Sequence, residues 1–86
     1  MSELHGITVV VETSGPVVFV GRCHELEDDR IILLDADRHA EGDDGLSNDD
    51  FVKRAARVGV WAKHPRLAIP TSDIASIRRL GEISPD

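Results

Sequence analysis

The apolar residues of this chain are grouped in short, β-branched runs, each about as long as one strand. Residues 7–12 alternate between apolar and polar side chains, and Val10 indicates that part of the second face is also covered. Residues 13–16, with the sequence TSGP, have the composition of a turn, because glycine accepts positive φ and proline fixes φ. Residues 17–25 form the next such run, so we expect the two strands to be joined as a hairpin.

Gly21 lies in the middle of the second predicted strand. Glycine weakens a strand unless the backbone bends there or is approached closely, and strand glycines are a usual means of curving a small barrel. Residues 30–37 form the third predicted strand. Its continuous apolar centre at 31–34 favours a central strand that is covered on both faces. These features predict a curled sheet of short strands.

One helix is predicted over about 48–57, after a polar loop. Ser47 is a candidate N-cap, with Asp50 three residues later, and Leu46 and Phe51 fit a hydrophobic staple. Acidic residues begin the segment, basic residues end it, and Gly59 suits the position after a helix. We expect a buried stripe of Phe51, Ala55 and Val58, and we expect the helix to cover the open end of the barrel, because a short helix needs tertiary packing.

The last third of the chain predicts two short strands. Residues 60–62 and 66–69 are interpreted as one fourth strand that is interrupted near Pro65. Residues 74–80 are compatible with a helix or with a short last strand. The predicted organisation is therefore one domain over 1–80, in which 38–59 form a loop and helix insert, followed by a flexible tail at 81–86.

Cys23 is the only cysteine, so no disulfide can form within the chain, which is unusual for a small secreted domain. It shares a strand face with Phe19 and is expected to be a small buried hydrophobic residue. The polar N-terminus lacks the pattern of a signal peptide, and no apolar run is long enough to cross a bilayer. A cytoplasmic protein without a membrane partner is expected.

The formal net charge of −6 is unevenly distributed, because residues 1–50 are strongly acidic and residues 51–86 are basic. The acidic total disfavours RNA and makes DNA an unexpected partner. The basic half nevertheless offers a candidate patch for RNA or a protein partner, with one aromatic ring: Trp61, Lys63, Arg66, Arg78 and Arg79. The alternative is an ordinary solvated surface, with Trp61 packed under the helix. Opposite charges on the two halves also favour head-to-tail association.

Asp35, Asp37 and His39 alternate along the end of the third predicted strand. Residues two apart share a face of an extended strand, so the three side chains would lie together. Carboxylate and imidazole groups of this kind bind divalent metals, and His24 or His64 would be a fourth ligand. The alternative interpretation is a polar strand end that enters a surface loop.

Two segments resemble the motifs of the Sm-like (LSm) small β-barrel. Residues 18–37, VFVGRCHELEDDRIILLDAD, resemble the first Sm motif, with Gly21 at the bending glycine. Residues 69–77, IPTSDIASI, resemble the second motif in the spacing of their isoleucines. The resemblance implies a mainly β fold, a strongly bent five-stranded SH3-like barrel, with the short helix inserted between strands 3 and 4. Other SH3-like barrels, including PRC-type barrels, share this apolar spacing.

The resemblance also implies where RNA would bind, and the sequence departs from the family at those positions. Sm-like proteins contact RNA through an Asp and an Asn near the start of strand three and through an Arg-Gly pair in the second motif. Here Ile31 stands at the position of the Asn, and Pro70 and Thr71 replace the Arg-Gly pair. Glu27 or Asp28 would supply the Asp only in a shifted register. The apolar positions are kept while those that would contact RNA differ.

The function predicted from the sequence is a non-enzymatic interaction module that binds protein or associates with itself. Small barrels of this shape leave the edges of strands four and five open, and Sm-like proteins form rings through those edges. The alternatives are an RNA-binding Sm-like protein and a divalent-metal-binding protein. No cofactor is expected, and 86 residues leave little room for a substrate pocket of ~300 Å³ or more.

Overall fold

Five strands form one antiparallel sheet within residues 4–84, the part of the chain that the computed structural model describes. One α-helix and three short 3₁₀ turns complete the secondary structure of these residues. The elements are β1 (Thr8–Thr13), β2 (Val17–Leu26), β3 (Arg30–Ala40), α1 (Asn48–Val58), β4 (His64–Pro70) and β5 (Ile74–Arg79), with 3₁₀ turns at Asp43–Gly45, Thr71–Asp73 and Leu80–Glu82. The mainly β prediction, with one helix between the third and fourth strands, is confirmed.

The strand order is β4-β3-β2-β1-β5, so β4 and β5 form the two edges of the sheet. The predicted hairpin is confirmed, since β1 pairs with β2 from Thr8 opposite Arg22 to Glu12 opposite Val18. β3 lies between β2 and β4 and buries Ile31 on the interior side. A sheet of this order that curls on itself has one enclosed face and one outer face.

Each face of the sheet carries its own buried cluster of aliphatic side chains. The interior cluster consists of Val9, Val11, Cys23, Ile31, Leu33, Ala36 and Ile69. The outer cluster joins the sheet to the helix and consists of Val10, Val18, Val20, Phe51, Val52 and Ala55. The prediction that Val10 is covered on the second face is therefore confirmed. Burying a side chain such as valine or isoleucine contributes roughly 1.5–3 kcal/mol, so both clusters stabilise the fold substantially.

Helix α1 begins and ends as its sequence predicts. The hydroxyl of Ser47 accepts a hydrogen bond from the backbone N–H of Asp50 at 3.1 Å. Gly59 follows the helix with φ of 96°, a conformation that favours glycine. The predicted stripe was wrong at one position, because Val52 is buried beside Phe51 whereas Val58 is exposed.

The position of α1 also differs from the expected cap over the open end of the barrel. The helix lies on the outer face of the sheet, where Val10, Val18 and Val20 would otherwise face water. Strands β1 and β2 are therefore apolar on both faces, and the helix supplies the second cover.

A β-bulge interrupts β3 at the level of Gly21. Val20 pairs with Asp37 and Arg22 pairs with Leu34, so one residue of β2 lies opposite two residues of β3. A Cβ atom on Gly21 would lie only 2.7 Å from the Cβ of Ala36, which means that the two strands approach too closely for a side chain. Close approach is one of the two reasons that the sequence offers for a glycine in this strand, the other being the bend that the prediction favoured.

Several predicted boundaries differ from the structure. β3 continues to Ala40, so the first residues of the predicted insert belong to the sheet. Residues 60–62 are not in a strand, and β4 begins at His64. The ambiguous segment at 74–80 is strand up to Arg79. In the predicted tail, Ile83 packs against the outer cluster, while residues 85–86 lie outside the described part of the chain.

Candidate functional site

The three candidate metal ligands on β3 do not come together. The side chain of Asp35 is 59% exposed and forms an ion pair with Arg22 at 3.2 Å. Asp37 and His39 are buried beneath the helix instead, at 4% and 3% exposure. Residues 4–84 contain no group of three or more histidine, cysteine or carboxylate side chains arranged to hold a metal ion. The predicted shared site is therefore wrong.

The bulge explains this difference. The prediction assumed strict alternation from residue 35 to residue 39, but Asp35 has a φ of 51° and lies in the irregular part of β3. The alternation holds only after the bulge, where Asp37 pairs with Val20 and His39 pairs with Val18. The proposed fourth ligands also lie elsewhere, since His24 is exposed on β2 and His64 begins β4.

His39 holds the start of the helical insert against the sheet. Its Nδ1 lies 2.7 Å from the side-chain oxygen of Asn48, and its Nε2 lies 3.0 Å from the backbone oxygen of Asp43. The Asn48 side-chain N–H donates to the backbone oxygen of Pro16 at 2.8 Å, which fixes the orientation of the amide. The imidazole also stacks on the ring of Phe51, with 4.5 Å between centroids. These contacts give His39 a structural role in docking the helix. The sequence predicted no such role for this histidine.

Asp37 is the other buried polar side chain on this face. One of its carboxylate oxygens accepts a hydrogen bond from the backbone N–H of Arg38 at 2.8 Å. The same oxygen lies 3.9 Å from the ammonium group of Lys63. Asp37 thus links β3 to the segment that leads into β4, and it forms part of the floor beneath Trp61.

The predicted basic patch is divided between two parts of the molecule. Trp61 and Lys63 lie in the segment before β4, and Arg66 lies on β4 itself. Arg78 and Arg79 lie on β5, the opposite edge strand in the sheet order. Both of these arginines form ion pairs, the first with Glu12 at 2.7 Å and the second with Glu82 at 3.6 Å.

The first part of the patch adjoins exposed apolar side chains. Trp61 is 75% exposed and Val58 is 70% exposed, and a cavity of about 140 Å³ lies between the helix end and Trp61. The Lys63 ammonium lies 6.0 Å from the Trp61 ring centroid. We call this region the Trp61 surface and define it by Arg54, Arg57, Val58, Trp61 and Lys63. Exposed apolar groups gathered in this way mark interaction sites more often than isolated ones do.

The outer edge of β4 presents unpaired backbone groups. In an antiparallel ladder, successive residues direct their N–H and C=O groups alternately to the two sides. The Thr71 N–H donates to the Asp29 oxygen at 3.0 Å. Thr71 and every second residue before it therefore direct their backbone groups towards β3. Arg66 and Ala68 therefore direct their backbone groups away from the sheet, where no strand of residues 4–84 pairs with them.

The outer edge of β5 is open in the same way. The Cys23 N–H donates to the oxygen of Ile7, the residue before β1, at 2.8 Å. Ile7 and every second residue after it therefore direct their backbone groups towards β2. Val10 accordingly faces β5 and pairs with Arg78. The neighbours of Arg78 on β5, Ile77 and Arg79, direct their backbone groups outward, and no described strand covers them.

Each of the two segments that resemble Sm motifs contains a turn, and these turns lie against each other. The first is the β2–β3 turn, and the second is the 3₁₀ turn after β4. The Thr71 hydroxyl donates to the Asp28 oxygen at 3.0 Å, in addition to the backbone bond to Asp29. The β2–β3 turn carries three consecutive acidic residues, and Arg30 pairs with the first of these, Glu27, at 3.1 Å. This junction is therefore acidic.

Cys23 is fully buried in the interior cluster, as predicted. Burial raises the pKa of its thiol above the ordinary value of 9.0, because the thiolate loses its hydration. A thiol of this kind is a packing residue and not a nucleophile.

The curved five-stranded sheet, its edge strands β4 and β5 and its strand order define a small β-barrel of the Sm-like fold. A solved structure of this fold is the Sm protein of Pyrococcus abyssii in complex with a uridine heptamer. Its similarity to this chain has a TM-score of 0.60 at 15% sequence identity, covering 88% of this chain and 86% of the archaeal one. The chain is thus a divergent example of the Sm-like fold.

Comparisons with protein-family models and with curated proteins gave no match. Within residues 4–84, no helix has the length and apolar composition required to cross a bilayer.

Proposed function

We propose that this chain is a non-enzymatic interaction module that associates with copies of itself through the free edges of β4 and β5. The observation that carries the proposal is that both edges present unpaired backbone N–H and C=O groups, at Arg66 and Ala68 on one strand and at Ile77 and Arg79 on the other. An exposed strand edge is a template for pairing with another chain.

The two edges differ in sequence, which favours head-to-tail pairing of β4 in one copy with β5 in the next. Pairing of unlike edges generates a ring when the rotation between copies closes. The similarity to an archaeal Sm protein supports this geometry at the level of the fold. β4 also ends at Pro70, whose missing N–H lies on the outer side of the strand, so pairing at this edge is restricted to the residues before it.

Light scattering coupled to size-exclusion chromatography tests this proposal. Wild-type protein should elute as an oligomer whose mass is a multiple of 9.4 kDa. Ala68→Pro removes an N–H that points away from the sheet, so it should give a monomer with a native circular dichroism spectrum. Ala68→Ser keeps the N–H and should remain oligomeric. A wild-type protein that is monomeric at high concentration would contradict the proposal.

RNA binding is the second candidate function, and the solved Sm protein in complex with a uridine heptamer favours it. The acidic junction between the β2–β3 turn and Thr71 opposes it, because phosphate contacts need basic side chains. Filter binding of a uridine oligomer across a salt series decides the matter. Binding at low salt that weakens steeply as salt rises supports the candidate, and no binding at low salt excludes it.

A further inference from the structure

We propose that the Trp61 surface of one copy packs against the acidic start of helix α1 in the next copy. This inference rests on the proposed self-association and assigns it a second contact besides the strand edges. The acidic start consists of three exposed carboxylates around the first turn of the helix: Asp44, Asp49 and Asp50.

The apolar part of the contact is supplied by Val58 and Trp61. With Leu26, they are the exposed large hydrophobic residues of the described chain, and both adjoin the cavity of about 140 Å³ at the helix end. The floor of that cavity is made by Phe51, Ala55 and the buried Asp37. An indole is a large apolar group with few rotatable bonds, and tryptophan is accordingly enriched at the centres of interfaces.

The charges of the two surfaces are opposite. Arg54 lines the cavity beside Trp61, Lys63 lies near the indole ring, and the exposed Arg57 belongs to the last helical turn. The first helical turn and the 3₁₀ turn before it are acidic. Asp49 forms an ion pair with Lys53 of its own helix at 3.1 Å, whereas Asp44 and Asp50 have no cationic partner within residues 4–84. The basic end of the helix is too distant to neutralise them, because an 11-residue helix separates its ends by roughly 16 Å. A second copy can satisfy both surfaces at once, and the same contact can repeat from copy to copy.

Helix α1 lies on the outer face of the sheet, and its two sides adjoin different strands. At its start, Asp49 lines a surface groove together with Ile77 and Arg78 of β5. At its other end, the cavity beside Trp61 includes Asp37 of β3, and the chain then enters β4. When β4 of one copy meets β5 of the next, the Trp61 surface and the acidic helix start therefore lie on the same face of the junction.

The charges on the paired edges are consistent with this placement. An antiparallel junction with Arg66 opposite Arg79 would place like charges together, whereas Arg66 opposite Ile77 avoids this. In that register, His64 at the start of β4 lies opposite Arg79 of the next copy, a residue that lines the groove at the helix start. A salt-sensitive contact with an apolar centre is the expected result.

Charge reversal in two separate variants tests the inference, with the dissociation constant of the assembly measured by dilution light scattering. Arg57→Glu and Asp50→Lys should each weaken association by roughly tenfold at low salt. An equimolar mixture of the two should restore it, because every junction between unlike variants joins opposite charges. Trp61→Ala should weaken association by at least tenfold. His24→Ala, a change at an exposed residue outside both surfaces, should have no effect.

The outcomes separate this inference from the proposed function. An oligomer whose dissociation constant is unchanged in Trp61→Ala and in both charge variants overturns the inference and leaves edge pairing in place. A monomeric wild-type protein overturns both. Weakening in each charge variant without recovery in the mixture also overturns the inference, because general destabilisation would then account for the loss.

Discussion

Gly21 and Ala36 face each other across β2 and β3 so closely that a Cβ atom on the glycine would lie 2.7 Å from the Cβ of the alanine. Side-chain carbons do not approach to this distance, so Gly21→Ala forces the strands apart at the bulge. We expect the free energy of unfolding to fall by roughly 1–3 kcal/mol, the usual effect of overpacking a core. Urea denaturation measures this.

Gly15→Ala is the matched control for that experiment, because a Cβ atom at Gly15 would meet no atom within 4 Å. It should leave the urea midpoint nearly unchanged. Equal stability of Gly21→Ala and wild-type protein would show that the close approach at Ala36 does not constrain the barrel.

The hydrogen bonds of His39 predict that this residue stabilises the docked helix. His39→Leu removes both ring contacts and leaves the oxygens of Asn48 and Asp43 without this partner. Leaving a buried polar group unsatisfied costs about 1–3 kcal/mol. We expect faster amide hydrogen exchange throughout α1, with smaller changes in β1. The exposed His24→Leu should exchange like wild-type protein, and unchanged exchange in His39→Leu would contradict this role.

Cys23 makes stability depend on pH at the alkaline end. Because burial raises the pKa of this thiol in the folded state, the unfolded chain loses its proton first as pH rises. The contribution of the thiol is therefore fully present below about pH 9 and is lost above it. Denaturation at pH 8 and at pH 10 should show a larger loss of stability in wild-type protein than in Cys23→Val, and equal losses would argue against the effect.

Trp61 is the only tryptophan, so its fluorescence reports directly on the Trp61 surface. The exposed indole of a dilute monomer should emit at long wavelength, and association should bury it and shift the emission to shorter wavelength. A concentration series measures the shift, with Ala68→Pro as the variant that should show none. A constant emission maximum over the range in which the mass increases would place Trp61 outside the contact.

The sequence was sufficient to predict those features that depend on local patterns. Ser47 and Gly59 marked the two ends of the helix because capping is a matter of a few neighbouring residues. The close approach at Gly21 was also predictable, because a glycine inside a strand is favoured mainly where the backbone bends or is approached closely. The Sm-like fold followed from the order and spacing of these local elements.

The features that depend on tertiary structure could not be predicted. A single extra residue at Asp35 changes which side chains share a face, and nothing in the alternation of residues 35–39 indicates it. The helix was expected at the open end of the barrel, whereas Val10, Val18 and Val20 required cover on the outer face. The exposure of Val58 and Trp61 was therefore not foreseeable from the sequence.

The central claim, that β4 and β5 are joined between copies, is tested most directly by residue-resolved hydrogen exchange at Ala68 and Ile77. These amides point away from the sheet and have no strand partner in residues 4–84. In concentrated protein both should be protected, and dilution to the monomer should make both exchange rapidly. Rapid exchange of both amides at every concentration would contradict the claim.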